Sequence, residues 1–214
     1  MPPIHTHINK NYINNKSIVF FNNLPNNSAM VNAVTTDNVM ASDTAVSYLH
    51  SLGHRKIAMI ASKQTKTAGF DRLYGYKSAM ARLGLNVENR LIQVGDDYKE
   101  KSGYECMARL LRDAPDLTAV YVASSQMTYG ALKAIKSAGK SIPADVSVLG
   151  FDIHDRNDLI TPGITTIIQQ EANIGTIACR LLLESINSPD EPVYQKIMLP
   201  SDLIIKQSCK PIYL

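Results

Sequence analysis

This sequence predicts an open, doubly wound α/β fold, a parallel sheet with helices on both faces, and three observations predict it. Short runs such as Ile57-Ala58-Met59-Ile60 and Ala119-Val120-Tyr121-Val122 are apolar throughout. Strands without polar alternation are buried on both faces, the mark of a parallel sheet. Between these runs lie segments with apolar residues at helical spacing, closed by Gly53, Gly84 and Gly139, and glycine is the residue that most easily ends a helix in a left-handed turn. From Asp37 onward strand-like and helix-like segments alternate, so crossover helices rather than hairpins join the strands.

Residues 1–36 contain no Asp or Glu, many Asn, and one strong apolar run at 18–21, read as a buried strand ended by Asn22-Asn23-Leu24-Pro25. Ser42 or Asp43 can cap a helix with apolar face Ala45, Val46, Tyr48, Leu49 and Leu52. A strand at 57–60 follows, then a helix over 70–83 and a strand at 91–94. The next helix, 99–112, carries Tyr104, Met107, Leu110 and Leu111 on one side. A strand at 119–122, a helix at 127–138 and a strand at 146–149 complete the regular pattern. Beyond Asp152 it changes. A loop at 159–162 leads to a strand at 164–168 and a helix at 172–187, broken by Ser188-Pro189; 193–205 reads as two strands interrupted by Pro200-Ser201-Asp202.

Composition narrows the function classes. The chain has 214 residues, 45% hydrophobic and 19% charged, and 22 Lys+Arg against 19 Asp+Glu leave a net charge of +3. That length can bury a substantial core, and the basic surplus is too small to argue nucleic-acid binding. No stretch approaches the ~18 apolar residues of a membrane helix, and the first residues lack the basic lead and apolar run of a signal peptide. Cys106, Cys179 and Cys209 are odd in number and widely spaced, which suits neither a disulfide framework nor a metal box. The expectation is a reduced, cytoplasmic, soluble chain without cofactor or metal.

In open α/β sheets ligands bind beyond the carboxyl ends of the strands. That rule selects Asn22, Ser62 and Arg72, Asp96, Asp97 and Tyr98, Ser124 and Ser125, Asp152, and Gln169. One guanidinium, several carboxylates and amides, and an aromatic ring suit a neutral polyhydroxyl or heterocyclic ligand better than an anion. On residue type alone Arg72 could equally be a solvated side chain, Asp152 a cap on a nearby turn, and Asp96-Asp97 a solvated turn. Catalytic motifs are missing: no glycine-rich dinucleotide or phosphate loop follows a strand, and no Gly-x-Ser-x-Gly elbow presents a nucleophile. His5 and His7 have no third metal ligand in view. The chain is not expected to be an enzyme.

Several strings together resemble the LacI/GalR family of bacterial transcription regulators: Asp37-Asn38, Leu52-Gly53-His54-Arg55-Lys56-Ile57-Ala58, Arg72-Leu73-Tyr74-Gly75-Tyr76, and the run 126–135. The longest is Ile142-Pro143-Ala144-Asp145-Val146-Ser147-Val148-Leu149-Gly150-Phe151-Asp152, followed by Ile164-Thr165-Thr166-Ile167 and the ending 203–208. The resemblance implies a type I periplasmic-binding-protein-like fold, two α/β subdomains around a cleft that takes a small carbohydrate or purine-like effector. It matches Arg72 and Asp152 to effector-binding positions, places Tyr98 over the ligand, and puts Ser124, Asn22 and Gln169 on the cleft. It implies a homodimer through Tyr129, Leu159 and Ile160. Ser124-Ser125 and Ile153 depart from the family's usual Asn-Asp and Asp, so the effector's identity does not carry over.

The same resemblance divides the chain into a partial N-terminal subdomain (1–36 and 164–192), a C-terminal effector-binding and dimerisation subdomain (37–163 and 193–208) and a tail (209–214). The residues before Ile18 are too few for a helix-turn-helix headpiece, so operator DNA is not expected to bind this chain by itself. The strand at 18–21 and the helix at 172–187 are expected to lack covering partners. The reading that follows is the effector-sensing core of a LacI-type regulator. The alternatives are a solute-binding protein serving a transporter, or a small α/β enzyme with Asp152 as base.

Overall fold

The computed structural model describes residues 17–24, 31–154, 159–187 and 194–212; His5 and His7 lie outside them. Among the described residues, nine strands and five α-helices follow one another as β1 (Val19–Phe21), β2 (Asn32–Thr36), α1 (Asn38–Ser51), β3 (Ile57–Ala61), α2 (Thr67–Arg82), β4 (Ile92–Val94), α3 (Glu100–Asp113), β5 (Ala119–Val122), α4 (Ser125–Ser137), β6 (Ser147–Phe151), β7 (Thr165–Gln169), α5 (Glu171–Asn187), β8 (Lys196–Leu199) and β9 (Ser201–Ile204).

Six strands form the larger sheet in the order β4-β3-β5-β6-β7-β9. All its pairings are parallel except β7 with β9, where Thr166 faces Ile204 and Gln169 faces Ser201. Because successive side chains in a strand point to opposite faces, each strand feeds two cores. Ile57, Met59 and Ala61 pack with Tyr121, Leu149, Phe151 and the inner faces of α1 and α2. Ala58, Ile60, Val120, Val122 and Val148 pack with α3 and α4 through Met107, Leu110, Met127, Ala131 and Ile135. Gly130 allows α3 and α4 to touch backbone to backbone: a Cβ there would run into the Glu100 carbonyl.

A second, three-stranded parallel sheet has the order β1-β2-β8. Helix α5 covers it, setting Ile174 and Leu181 on Val34 beside Val19, Ile197 and Leu199. The expectation that the first strand and the 172–187 helix lack partners is therefore corrected: each is part of the other's cover. The side of α5 bearing Leu183 and Ile186 is exposed.

The structure differs from the sequence reading in four further places. β2 was not anticipated, because Asn32-Ala33-Val34-Thr35-Thr36 has no bulky apolar run, yet all five residues are buried. Helix α1 starts earlier than Ser42, capped by Asp37, whose carboxylate accepts the Met40 amide at 2.9 Å. Only Pro200 separates β8 from β9, so Ser201 and Asp202 belong to a strand. The subdomain boundaries at 164 and 193 also move. β7 pairs with β6 in the larger sheet, and β8 pairs with β2 in the smaller one. The chain thus crosses between layers at 36–38, 169–171 and 199–201. The tail is no loose end: the Ile212 amide donates to the Leu52 carbonyl at 2.7 Å, and His54, fully buried, lies 3.1 Å from the Lys210 carbonyl.

Candidate functional site

Between β3 and β5 the strand order reverses: the chain runs from β3 outward to β4, then returns to the far side of β3 as β5. The carboxyl ends of two such strands leave a crevice that their following loops cannot fill. The larger sheet's site side chains gather there, each delivered by the element after a strand.

Arg72 comes from α2, which follows β3. Since α2 begins at Thr67, it sits in the second helical turn rather than the first. It is 8% exposed and fixed on several sides. Its Nε donates to Asn38 Oδ1 at 2.7 Å, and Nη1 donates to the Ala123 carbonyl at 2.9 Å. The guanidinium carbon lies 3.4 Å from the centre of the Phe151 ring. Burial pushes its pKa down, while Tyr121, Asp152, Tyr98 and Asp71 act in the opposite direction. A planar fork can bond two acceptors and stack on a ring at once, and a lysine cannot.

Asp152 follows β6 with φ at 52°, a left-handed turn in which Asp is among the better tolerated non-glycine residues. That turn brings its carboxylate back over the end of β7. Oδ1 accepts from the Gln169 amide at 3.0 Å and Oδ2 from Gln169 Nε2 at 2.5 Å. Burial raises its pKa; the Gln169 donors and Arg72 lower it, and Glu171 raises it. Asp152, His154 and Glu171 place one candidate ligand atom each within 4.8 Å of one another. Both Asp152 oxygens accept from Gln169, and the imidazole faces Glu171 at 3.8 Å, so the trio belongs to the same polar network.

The other expected residues are placed as follows. Gln169 ends β7 and is bonded to Asp152, which joins it to the site directly. The Tyr98 hydroxyl lies 3.5 Å from the Lys63 carbonyl; burial raises its pKa, while Ser62 and Arg72 lower it. Ser124 is buried at the N-terminus of α4, next to the carbonyl that holds Arg72. Asn22 lies on the smaller sheet with φ at 59° and a buried Oδ1 that has no partner. Its loop reaches the start of α2, where the Leu24 amide donates to Thr67 Oγ1 at 3.0 Å. Asp97 behaves as a turn residue, accepting the Lys99 amide at 2.8 Å. Away from the crevice, Leu159 is 82% exposed and Tyr129 and Ile160 are half-buried.

Three residues of this network escaped the sequence reading: Phe151 beneath Arg72, Asn38 beside it, and Thr36, which donates to Gln169 Oε1 at 2.7 Å. Phe151 and Asn38 stand inside the strings that carry the family resemblance. Nothing local to Thr36 announced it, since it ends the unanticipated β2.

Comparison with known proteins gives a consistent result. The periplasmic binding protein-like domain family matches residues 46–209. The HTH-type transcriptional regulator CelR of Thermobifida fusca is 34% identical over 179 residues, 83% of this chain and 52% of that protein. The chain thus spans about half the length of this curated relative. A solved complex of the transcriptional regulator CelR with cellobiose superposes with a TM-score of 0.82 at 31% identity, covering 89% of this chain and 58% of that one. A LacI family transcriptional regulator from Enterococcus faecium with bound ribose gives 0.79 at 27% identity, over 91% of this chain and 71% of that one.

Proposed function

The chain belongs to the periplasmic binding protein-like domain family, and on that premise we propose that it is the effector sensor of a LacI-type transcriptional regulator, with a crevice that takes a small neutral saccharide. One observation carries the reading. Arg72 and Asp152 come from elements far apart in sequence, yet converge where the strand order reverses, each already oriented by protein partners. A prearranged donor fork opposite a carboxylate suits adjacent hydroxyl groups, which both donate and accept. Tyr98 supplies a ring for the apolar face of a sugar, and Ser124, Asn22 and Gln169 supply further polar contacts.

Charge supports a neutral ligand. Arg72 is already balanced by Asp152 and Asp71, so a phosphate or carboxylate would meet more negative than positive charge here. The sugars named with CelR and with the Enterococcus faecium regulator, cellobiose and ribose, are both neutral. The smaller sheet with α5 and the larger sheet with α1–α4 act as the two subdomains. Leu159, Ile160 and Tyr129 form the homodimer contact. The regulators it resembles support a protein that works in the cytoplasm as a regulator rather than as an enzyme. Separately, among the described residues no helix is long and apolar enough to cross a membrane.

The test is a thermal melt of the chain, alone and with pentoses, hexoses, disaccharides and purines. A ligand at about 100 times its Kd adds roughly 2.7 kcal/mol to the folded state. One saccharide should raise the melting temperature of the parent and leave Arg72→Ala and Asp152→Ala unmoved. A cooperative melt that no saccharide shifts, or one that a purine shifts instead, overturns the proposal.

A further inference from the structure

Both groups assigned to the effector are held by the same short crossover, residues 36–38. There the chain leaves β2 of the smaller sheet and enters α1 on the larger one. Thr36 ends β2, 2% exposed, and its hydroxyl donates to Gln169 Oε1 at 2.7 Å. That bond anchors the Gln169 amide by its oxygen while its nitrogen is turned to Asp152 Oδ2. An ionised carboxylate can only accept, so the opposite orientation would set the amide oxygen against Asp152 Oδ2 and give up the bond that Thr36 donates.

On the other side of the crossover, Asn38 is fixed in the same manner. Its Nδ2 donates to the Thr36 carbonyl at 3.1 Å, which leaves Oδ1 to receive Arg72 Nε. Gln169 itself ends β7 at the neighbouring crossover, and the Asp37 amide bonds the Leu199 carbonyl of the third at 2.9 Å. The crossovers are therefore bonded to one another, and side chains from two of them reach the crevice.

We propose that Thr36 and Asn38 are positioning residues: Thr36 sets Asp152 through Gln169, Asn38 sets Arg72, and the 36–38 crossover thereby ties the effector groups to the relative placement of the two sheets. The inference rests on the effector reading of Arg72 and Asp152, and it adds a route by which a ligand on those groups bears on the crossover. A motion of β2 against β7 breaks the Thr36–Gln169 bond, frees the amide and loosens the carboxylate. A ligand that needs the carboxylate in place favours the state in which the bond is made.

The experiment uses the full chain without ligand and follows three positions by nuclear magnetic resonance. These are the Asp152 carboxyl titration, the solvent exchange of the Gln169 amide, and the exchange of the Arg72 Nε proton. The groups facing Asp152 are Arg72 from α2, Tyr121 from β5, Glu171 from α5 and His154 in the loop after β6, and all stay in place in the variants. Thr36→Val keeps the shape of the side chain and removes its donor. It should raise the Asp152 midpoint, because the Gln169 donor is no longer held, and speed Gln169 exchange. Thr36→Ser, which keeps the hydroxyl, should restore both, a rescue that a purely structural role would not give. Asn38→Ala should speed Arg72 Nε exchange by about tenfold, the loss of one charge-assisted bond. If valine packs badly, Thr36→Ala serves in its place, with the same serine control. An unmoved Asp152 midpoint in folded Thr36→Val or Thr36→Ala, or unchanged Arg72 exchange in Asn38→Ala, overturns the proposal. These readouts need no ligand. Failure of every saccharide to bind would overturn the effector reading without altering them.

Discussion

Replacing Arg72 with alanine separates binding from folding, and the structure allows its size to be worked out. The change leaves Asn38 Oδ1 and the Ala123 carbonyl without their donor, at about 1–3 kcal/mol each. It removes the stack on Phe151, worth about 2 kcal/mol when desolvated. Against this, folding no longer has to bury a guanidinium, a relief of several kcal/mol. The net loss is about 2 kcal/mol, or roughly 4–8 °C in melting temperature for a chain of this size. Binding should fail outright. Arg72→Lys should fold nearly as well and still bind poorly, since one ammonium cannot bond both acceptors and stack. The deficit should also depend on pH. Asp152 already titrates above its ordinary value through burial, and losing the cation pushes it higher. A carboxyl raised in the folded state favours folding at low pH and loses that contribution as pH rises, so the gap between variant and parent should narrow as pH falls from 7 toward 4. The assays are melts by circular dichroism across that range and titration calorimetry with the sugar that shifts the parent. Parent-like binding by Arg72→Ala, or a gap that widens on acidification, would refute the reasoning.

Three other outcomes are expected. Gly130→Ala should destabilise the chain by about 1–3 kcal/mol, because its methyl meets the Glu100 carbonyl and lies 2.6 Å from the Tyr104 amide nitrogen; urea unfolding measures it. His54 is buried with Nδ1 2.9 Å from Thr118 Oγ1 and Nε2 facing the Lys210 carbonyl, and burial lowers its pKa. Its contribution to stability is present above the unfolded value, about 6.5, and is lost as pH falls below it. The fall in melting temperature below that pH should therefore flatten in His54→Gln, and an unchanged slope would count against this assignment. Leu159→Glu, at a position 82% exposed, should keep a cooperative melt, lowered only by the lost association, while turning a dimer into a monomer in equilibrium sedimentation at tens of micromolar; a parent that is already monomeric refutes the proposed contact.

Much of this was legible in the sequence because it is local. An apolar run such as 119–122, short and rich in β-branched and aromatic residues, reads as a strand buried on both sides, and it is β5 residue for residue. Gly84 and Gly139 end helices at φ of +69°, as their places after apolar periodicity foretold. The strand-end rule selects Arg72, Asp152 and Gln169 by position alone, since a strand's carboxyl end is fixed once the strand is, and the structure brings the three into one polar network. β2 was not legible: it is buried by β1, β8 and α5, and residues as small as Ala33 or as polar as Thr35 carry no sign of that burial. The partners of β7 and β8 were misassigned for a related reason. Hydrophobic pattern says that a segment is a strand and which faces are buried, but the backbone hydrogen bonds that choose its neighbour are the same for every sequence. Tertiary structure alone decided that β7 joins the larger sheet and β8 the smaller. It thereby brought Thr36 against Gln169 across 133 positions of sequence.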